Sequence, residues 1–198
     1  MRPIYLIARR EFMAIVLSPI GLALAACYLV LSGYVFAANV SLTQEATLRY
    51  TFATLGLFTI YITPLITMRL LAEEIRSGTF EVLVSNPVTD TQIVLGKFLA
   101  GWLCFLFMSL PTWSYLFILR FLGSPDWGPA IAGYLGQQCL AAVLIALGLL
   151  FSAATQNQVL AAMAAMAGGS LWVLVKNAPA VIGGRLGHVL SSLAILDH

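Results

Sequence analysis

Apolar residues in this chain fall in long unbroken runs separated by short polar stretches, the pattern of a protein whose main solvent is hydrocarbon. No residue from Phe12 to Gln44 is charged. A crossing takes about 20 apolar residues at 1.5 Å rise each, so residues 19–39 make the first span. Residues 40–50 are a short polar connection, and 50–70 make the second span. Pro64 is expected to kink that span, which neighbouring helices tolerate by taking up the freed backbone groups. Residues 94–119 make the third span, with Pro111 as a second expected kink, and 120–128 form a turn-rich loop carrying an interfacial Trp127. From Trp127 to Val175 the chain is uncharged over more length than one crossing can use. The polar cluster from Ser152 to Gln158 divides it into spans at 129–151 and 158–175, joined by a tight turn. In the last of these, Ala161, Ala165 and Gly169 recur at helical spacing, as do Ala164 and Gly168. That pattern points to close helix packing rather than a pore lining. The pattern as a whole predicts an all-α fold, a polytopic transmembrane helical bundle of about five spans, in a single domain over 1–198.

The two ends differ from the spans. In residues 1–17, Ile4, Tyr5, Ile7, Ala8, Phe12 and Ile15 can share one face of a helix, while Arg2, Arg9, Arg10 and Glu11 supply the polar side. This predicts an N-terminal helix lying in the membrane interface, ended by Ser18-Pro19. The run is too long for the apolar part of a signal peptide, so the helix is expected to stay attached. After Lys176 the apolar residues are interrupted at Gly183-Gly184, which predicts a short outer or re-entrant helix over 178–197.

Composition strengthens the membrane reading. Hydrophobic residues make up 61% of the chain and charged residues 9%, with mean hydropathy +0.95. Soluble domains carry about 25% charged residues. A net charge of +2 gives no reason to expect a nucleic-acid partner. Cys27, Cys104 and Cys139 each lie in an apolar run, without disulfide or metal-ligand spacing.

Against this background the stretch from Arg69 to Lys97 is a polar island, with Arg69, Glu73, Glu74, Arg76, Glu81, Asp90 and Lys97. Water or another protein is expected to reach it. The excess of Lys and Arg marks cytoplasmic loops. With the N-terminus inside, the inner side holds Arg2, Arg9, Arg10, Arg69, Arg76 and Lys97, and the outer side Arg49, Arg120, Lys176 and Arg185. The island is then cytoplasmic. Gly78 lets the chain turn out of the second span, Thr79 can cap a short helix over 77–86, and Glu81 suits its first turn. Asn86-Pro87 stops that helix. Thr89-Asp90-Thr91-Gln92 has the form of a capping box, so a new helix starts there and runs into the third span. A short rigid helix held between two breaks can act as a lever or can simply be a solvated loop.

A resemblance favours the lever. Glu73-Glu74, then Gly78-Thr79-Phe80-Glu81, Leu83, Pro87-Val88-Thr89 and Gly96-Lys97 resemble the first cytoplasmic loop of ABC-transporter permeases of the second exporter type, most similarly the gliding-motility-associated branch. Ala8-Arg9-Arg10-Glu11-Phe12, Ser18-Pro19-Ile20-Gly21, Thr63-Pro64-Leu65 and Met68-Arg69 are also similar to that family. The resemblance implies six spans, whereas this chain ends at His198 where the sixth would follow. It implies a dimer of permease halves in the bacterial inner membrane, and a cytoplasmic ABC ATPase gripping a coupling helix. Glu73, Glu74, Arg76, Gly78, Thr79, Phe80, Glu81, Leu83 and Pro87 are the expected contact. The implied function is a membrane-spanning permease subunit of an ATP-driven exporter. The alternative is a subunit that passes ATPase motion to envelope assembly or secretion without carrying a solute.

Other chemistry finds little support. Glu73 and Glu74 are adjacent on a helix and diverge by about 100°, too far apart in direction for a tight acid/base pair. His188 and His198 have no companions at metal-ligand spacing. No G-x-x-x-x-G-K-[ST], G-x-S-x-G or H-E-x-x-H occurs. The chain is therefore expected to be no enzyme and to bind no cofactor itself, with ATP and Mg held by the partner ATPase. No charge is expected deep in the spans, which argues against a proton-coupled carrier.

Overall fold

The computed structural model describes residues 2–43, 47–72, 89–123 and 126–181, and every regular element among them is helical. In order these are α1 (Arg2–Val16), α2 (Pro19–Thr43), α3 (Arg49–Thr67), α4 (Asp90–Ser109), a 3-10 turn (Leu110–Trp113), α5 (Ser114–Leu122), α6 (Trp127–Ala154) and α7 (Gln158–Val181). Among the described residues, five helical stretches are long and apolar enough to cross a membrane, with α4, the 3-10 turn and α5 counting as one. The coupling helix expected at 77–86 lies outside the described residues. So does most of the helix expected at 178–197; its first residues, 178–181, belong to α7, which continues past Lys176 and Pro179 to Val181.

α3 sits at the centre, packed against α2, α4, α6 and α7. The reason is on its surface. Thr51, Leu55, Thr59, Thr63 and Thr67 recur every four residues and are all buried. Hydroxyls are costly in an apolar interior unless bonded, and three of these are satisfied locally. Thr59 Oγ1 donates to Leu55 O at 2.9 Å, Thr63 Oγ1 to Thr59 O at 2.7 Å, and Thr67 Oγ1 to Pro64 O at 3.3 Å. The resulting smooth seam lets α6 lie close. At Gly148 an added Cβ would collide with Thr67 Oγ1, and at Gly133 with the ring of Phe52. Gln137 Nε2 donates to Thr59 Oγ1 across the same seam. α7 closes the other side with its small residues. Ala161, Ala162 and Ala165 are buried, and a Cβ at Gly169 would stand 2.7 Å from Ile60 Cγ2.

The two proline positions behave differently. α3 continues through Pro64 to Thr67, and Met68 N–H returns to Pro64 O at 2.8 Å. At Pro111 the third span tightens into the 3-10 turn, because proline offers no N–H to the preceding turn. The loosened backbone is met by side chains: Tyr134 OH donates to Thr112 O at 2.6 Å. Around it, Trp113 stacks on Tyr134 at 5.0 Å and Phe36 on Tyr115 at 4.5 Å. A separate core cluster, including Tyr28, Ile66, Leu70, Phe105 and Ile145, packs α2, α3, α4 and α6 together and takes in the chain leaving α3.

Candidate functional site

Every residue expected in the contact, from Glu73 to Pro87, lies outside the described residues. The structure describes the two strips of chain from which that segment springs, Met68–Ala72 and Thr89–Lys97. Both are fixed by bonds that start far away in the sequence.

The first strip leaves α3 as a turn, and its Leu70, Leu71 and Ala72 are buried. A helix end leaves backbone groups without intrahelical partners, and burying them unpaired would be costly. Ser152, wholly buried near the end of α6, supplies partners. Its Oγ accepts from Leu71 N–H at 3.3 Å and from Ala72 N–H at 3.0 Å, and donates to Met68 O at 3.3 Å. Alanine at this position would strand two buried donors, at about 1–3 kcal/mol each way the loss is counted. S152A should therefore lower the thermal midpoint of the detergent-solubilised chain. Its excess amide exchange should centre on Leu71 and Ala72.

The second strip opens with the capping box predicted from the sequence: Thr89 N–H donates to Gln92 Oε1 at 3.3 Å and Asp90 lies in the first turn. Two turns later the chain departs from expectation. Lys97 is not on a water-facing island; its relative exposure is 0%. Its Nζ donates to Leu70 O in the first strip and lies 3.9 Å from Glu11 Oε1 of α1. Burying an ammonium costs several kcal/mol even after relaxation. Here the cost is offset by a carboxylate and by a backbone carbonyl in the turn that follows α3.

α1 is therefore corrected as well. Tyr5 is 67% exposed, while Glu11, assigned to the polar side, has a side chain only 15% exposed. The packed face runs through Ile4, Ile7, Ala8, Glu11 and Ile15 instead. It lies against α4, where a Cβ on Gly96 would stand 2.7 Å from Ile7 Cγ2 and 3.3 Å from Ile4 O. Farther along, Phe12 meets Phe107 edge-on at 6.1 Å. Arg9 and Arg10 stay on the exposed side, Arg10 Nε lying 3.9 Å from Glu11 Oε1.

Four residues thus join α1, the exit of α3, the start of α4 and the end of α6: Glu11, Gly96, Lys97 and Ser152. Sequence reasoning assigned a site role to none of them. A stricter helical count would have found Glu11, which sits four residues from both Ile7 and Ile15. Nothing in the sequence pairs Ser152 with residue 71. Lys97 stands near the start of α4, which begins at Asp90, rather than deep along it. The arrangement holds no metal-ligand group among the described residues. What it can do is mechanical: it makes the foot of the undescribed segment continuous with the bundle.

Residues 35–176 match the sequence profile of a family described as ABC-2 family transporter protein. No curated protein and no solved structure matches the chain.

Proposed function

Because the chain belongs to the ABC-2 transporter family, we propose that the segment between Ala72 and Thr89 is where a separate ABC ATPase delivers its stroke. Membership makes the chain a permease component of an ABC transporter, working with an ATPase rather than supplying the catalysis. The finer reading is ours. Glu73, Glu74, Arg76, Gly78, Thr79, Phe80, Glu81, Leu83 and Pro87 form the contact, and a short helix over 77–86 is the part gripped. ATP and Mg sit in the partner. A second permease half completes the path, the chain lies in a bacterial inner membrane with its N-terminus in the cytoplasm, and transport runs outward.

The observation that supports this most is the anchoring of both feet of the segment. A lever transmits rigid-body motion only if its ends are fixed to what it must move. Here one foot is bonded to α6 through Ser152 and to α4 through Lys97, and the other foot is α4 itself. A flexible surface loop needs no such bonds.

Purification of the chain in mild detergent should bring down a P-loop ATPase, and ATP hydrolysis should rise when the permease is present. Further stimulation by a cargo in proteoliposomes marks a solute exporter. Stimulation without any cargo, together with a stable envelope partner, marks the mechanical alternative. Recovery of the chain without any ATPase contradicts the reading.

A further inference from the structure

We propose that Lys97 is a positioning residue: a buried ammonium that pins the exit of α3 and the N-terminal helix to α4, so that all three move as one body. The inference rests on the coupling role proposed above for its functional part, and on geometry alone for the pin itself.

Three observations carry it. First, Lys97 is wholly buried two turns into α4, where an ammonium is costlier than leucine or methionine unless specific partners offset it. Second, among the described residues its Nζ reaches partners on different elements, Leu70 O at the exit of α3 and Glu11 on α1. One side chain thus bridges three helices that are distant in sequence. Third, the residue before it is Gly96, whose missing side chain is the space Ile4 and Ile7 of α1 occupy. Adjacent residues therefore let α1 approach and then hold it. Packing alone can place α1 on α4 and the Leu70 side chain beside Gly101, but it makes no bond from α4 to the Leu70 carbonyl. The pin adds that link, and it adds it directly at the foot of the segment that receives the stroke.

The geometry gives the pin two separable arms. E11Q removes the charge on the α1 arm and leaves the Leu70 arm in place. K97M keeps the length of the side chain and removes both arms. Hydrogen exchange on the full chain in detergent reads them independently. In E11Q, exchange should rise about tenfold in α1 and stay unchanged at Leu71 and Ala72. In K97M it should rise about tenfold in both places while α6 and α7 keep their protection. K97R, which retains charge and donors, should restore protection in both.

In the assembled complex, K97M should bind the ATPase within about threefold of wild type yet lose at least about tenfold of the stimulated hydrolysis, a split that simple misfolding does not give. K97R should recover that stimulation. Unchanged exchange at α1 and at residues 71–72 in K97M overturns the pin. Raised exchange with normal stimulation overturns its positioning role. A wild-type chain that captures no ATPase overturns the coupling reading instead and leaves the pin to be judged by exchange.

Discussion

A G96L chain is expected to lose the docking of its N-terminal helix. Even a single methyl at this position would stand 2.7 Å from Ile7 Cγ2 and 2.9 Å from Ile7 Cβ, with a backbone oxygen, Ile4 O, at 3.3 Å. A side-chain tip can rotate away, but a Cβ and a carbonyl move only with the helix. Overpacking by one or two methylenes costs about 1–3 kcal/mol. A leucine exceeds the space on every side, so α1 must lift off α4 or the chain must lose its fold. Lifting also carries Glu11 from Lys97, and removing one partner of a buried ion pair costs about 3–5 kcal/mol. G96A should show the same effect in milder form, and I7A should restore part of the loss in the G96A background while lowering stability in the wild type. That crossing of signs is the mark of a direct contact. Thermal midpoints of wild type, G96L, G96A, I7A and the G96A/I7A double variant, with amide exchange in α1, check it.

The second large effect is electrostatic. Charge reversal at Glu73, Glu74 and Glu81 should abolish pairing with the ATPase, while each single change to glutamine weakens it only slightly. Exposed ion pairs contribute about 0–1 kcal/mol each, so neutralising one carboxylate removes little. Reversal is different, because like charges brought together across an interface cost several kcal/mol. Three reversals should weaken binding by at least about two orders of magnitude, since each factor of ten is 1.4 kcal/mol. The wild-type association rate should fall steeply with salt, and that of the triple variant should not. Retention of pairing by the triple variant would place the contact elsewhere on the chain.

Much of the architecture was legible because it depends on local rules. Runs of apolar residues announce spans, and five helices of that kind are present among the described residues. Thr89 to Gln92 announced a helix start that stands where expected. The alanine and glycine spacing in the last span announced a close approach, which Gly169 makes against Ile60. Pro111 announced a kink, and there the span tightens into a 3-10 turn. Pro64 lies inside α3, which continues past it to Thr67.

The foot of the island was hidden for a physical reason. Charge in a sequence reads as solvent contact until a partner is known, and the partners of Lys97 lie on other elements. Leu70 offers a backbone oxygen, which leaves no trace in a residue pattern. Glu11 sits among arginines and was read with them, although its helical angle puts it with Ile7 and Ile15. Ser152 looked like the first residue of a polar turn and is instead a cap for a helix end it does not follow.

The central claim is that the segment between Ala72 and Thr89 faces the cytoplasm and is covered there by an ATPase. A single cysteine at Ser85, with Cys27, Cys104 and Cys139 replaced, tests it with a membrane-impermeant thiol reagent. The account predicts no labelling in intact cells, labelling in inverted membrane vesicles, and loss of that labelling when the ATPase subunit is added back. Labelling in intact cells would put the segment on the outer face, where no ATP-driven subunit can reach it.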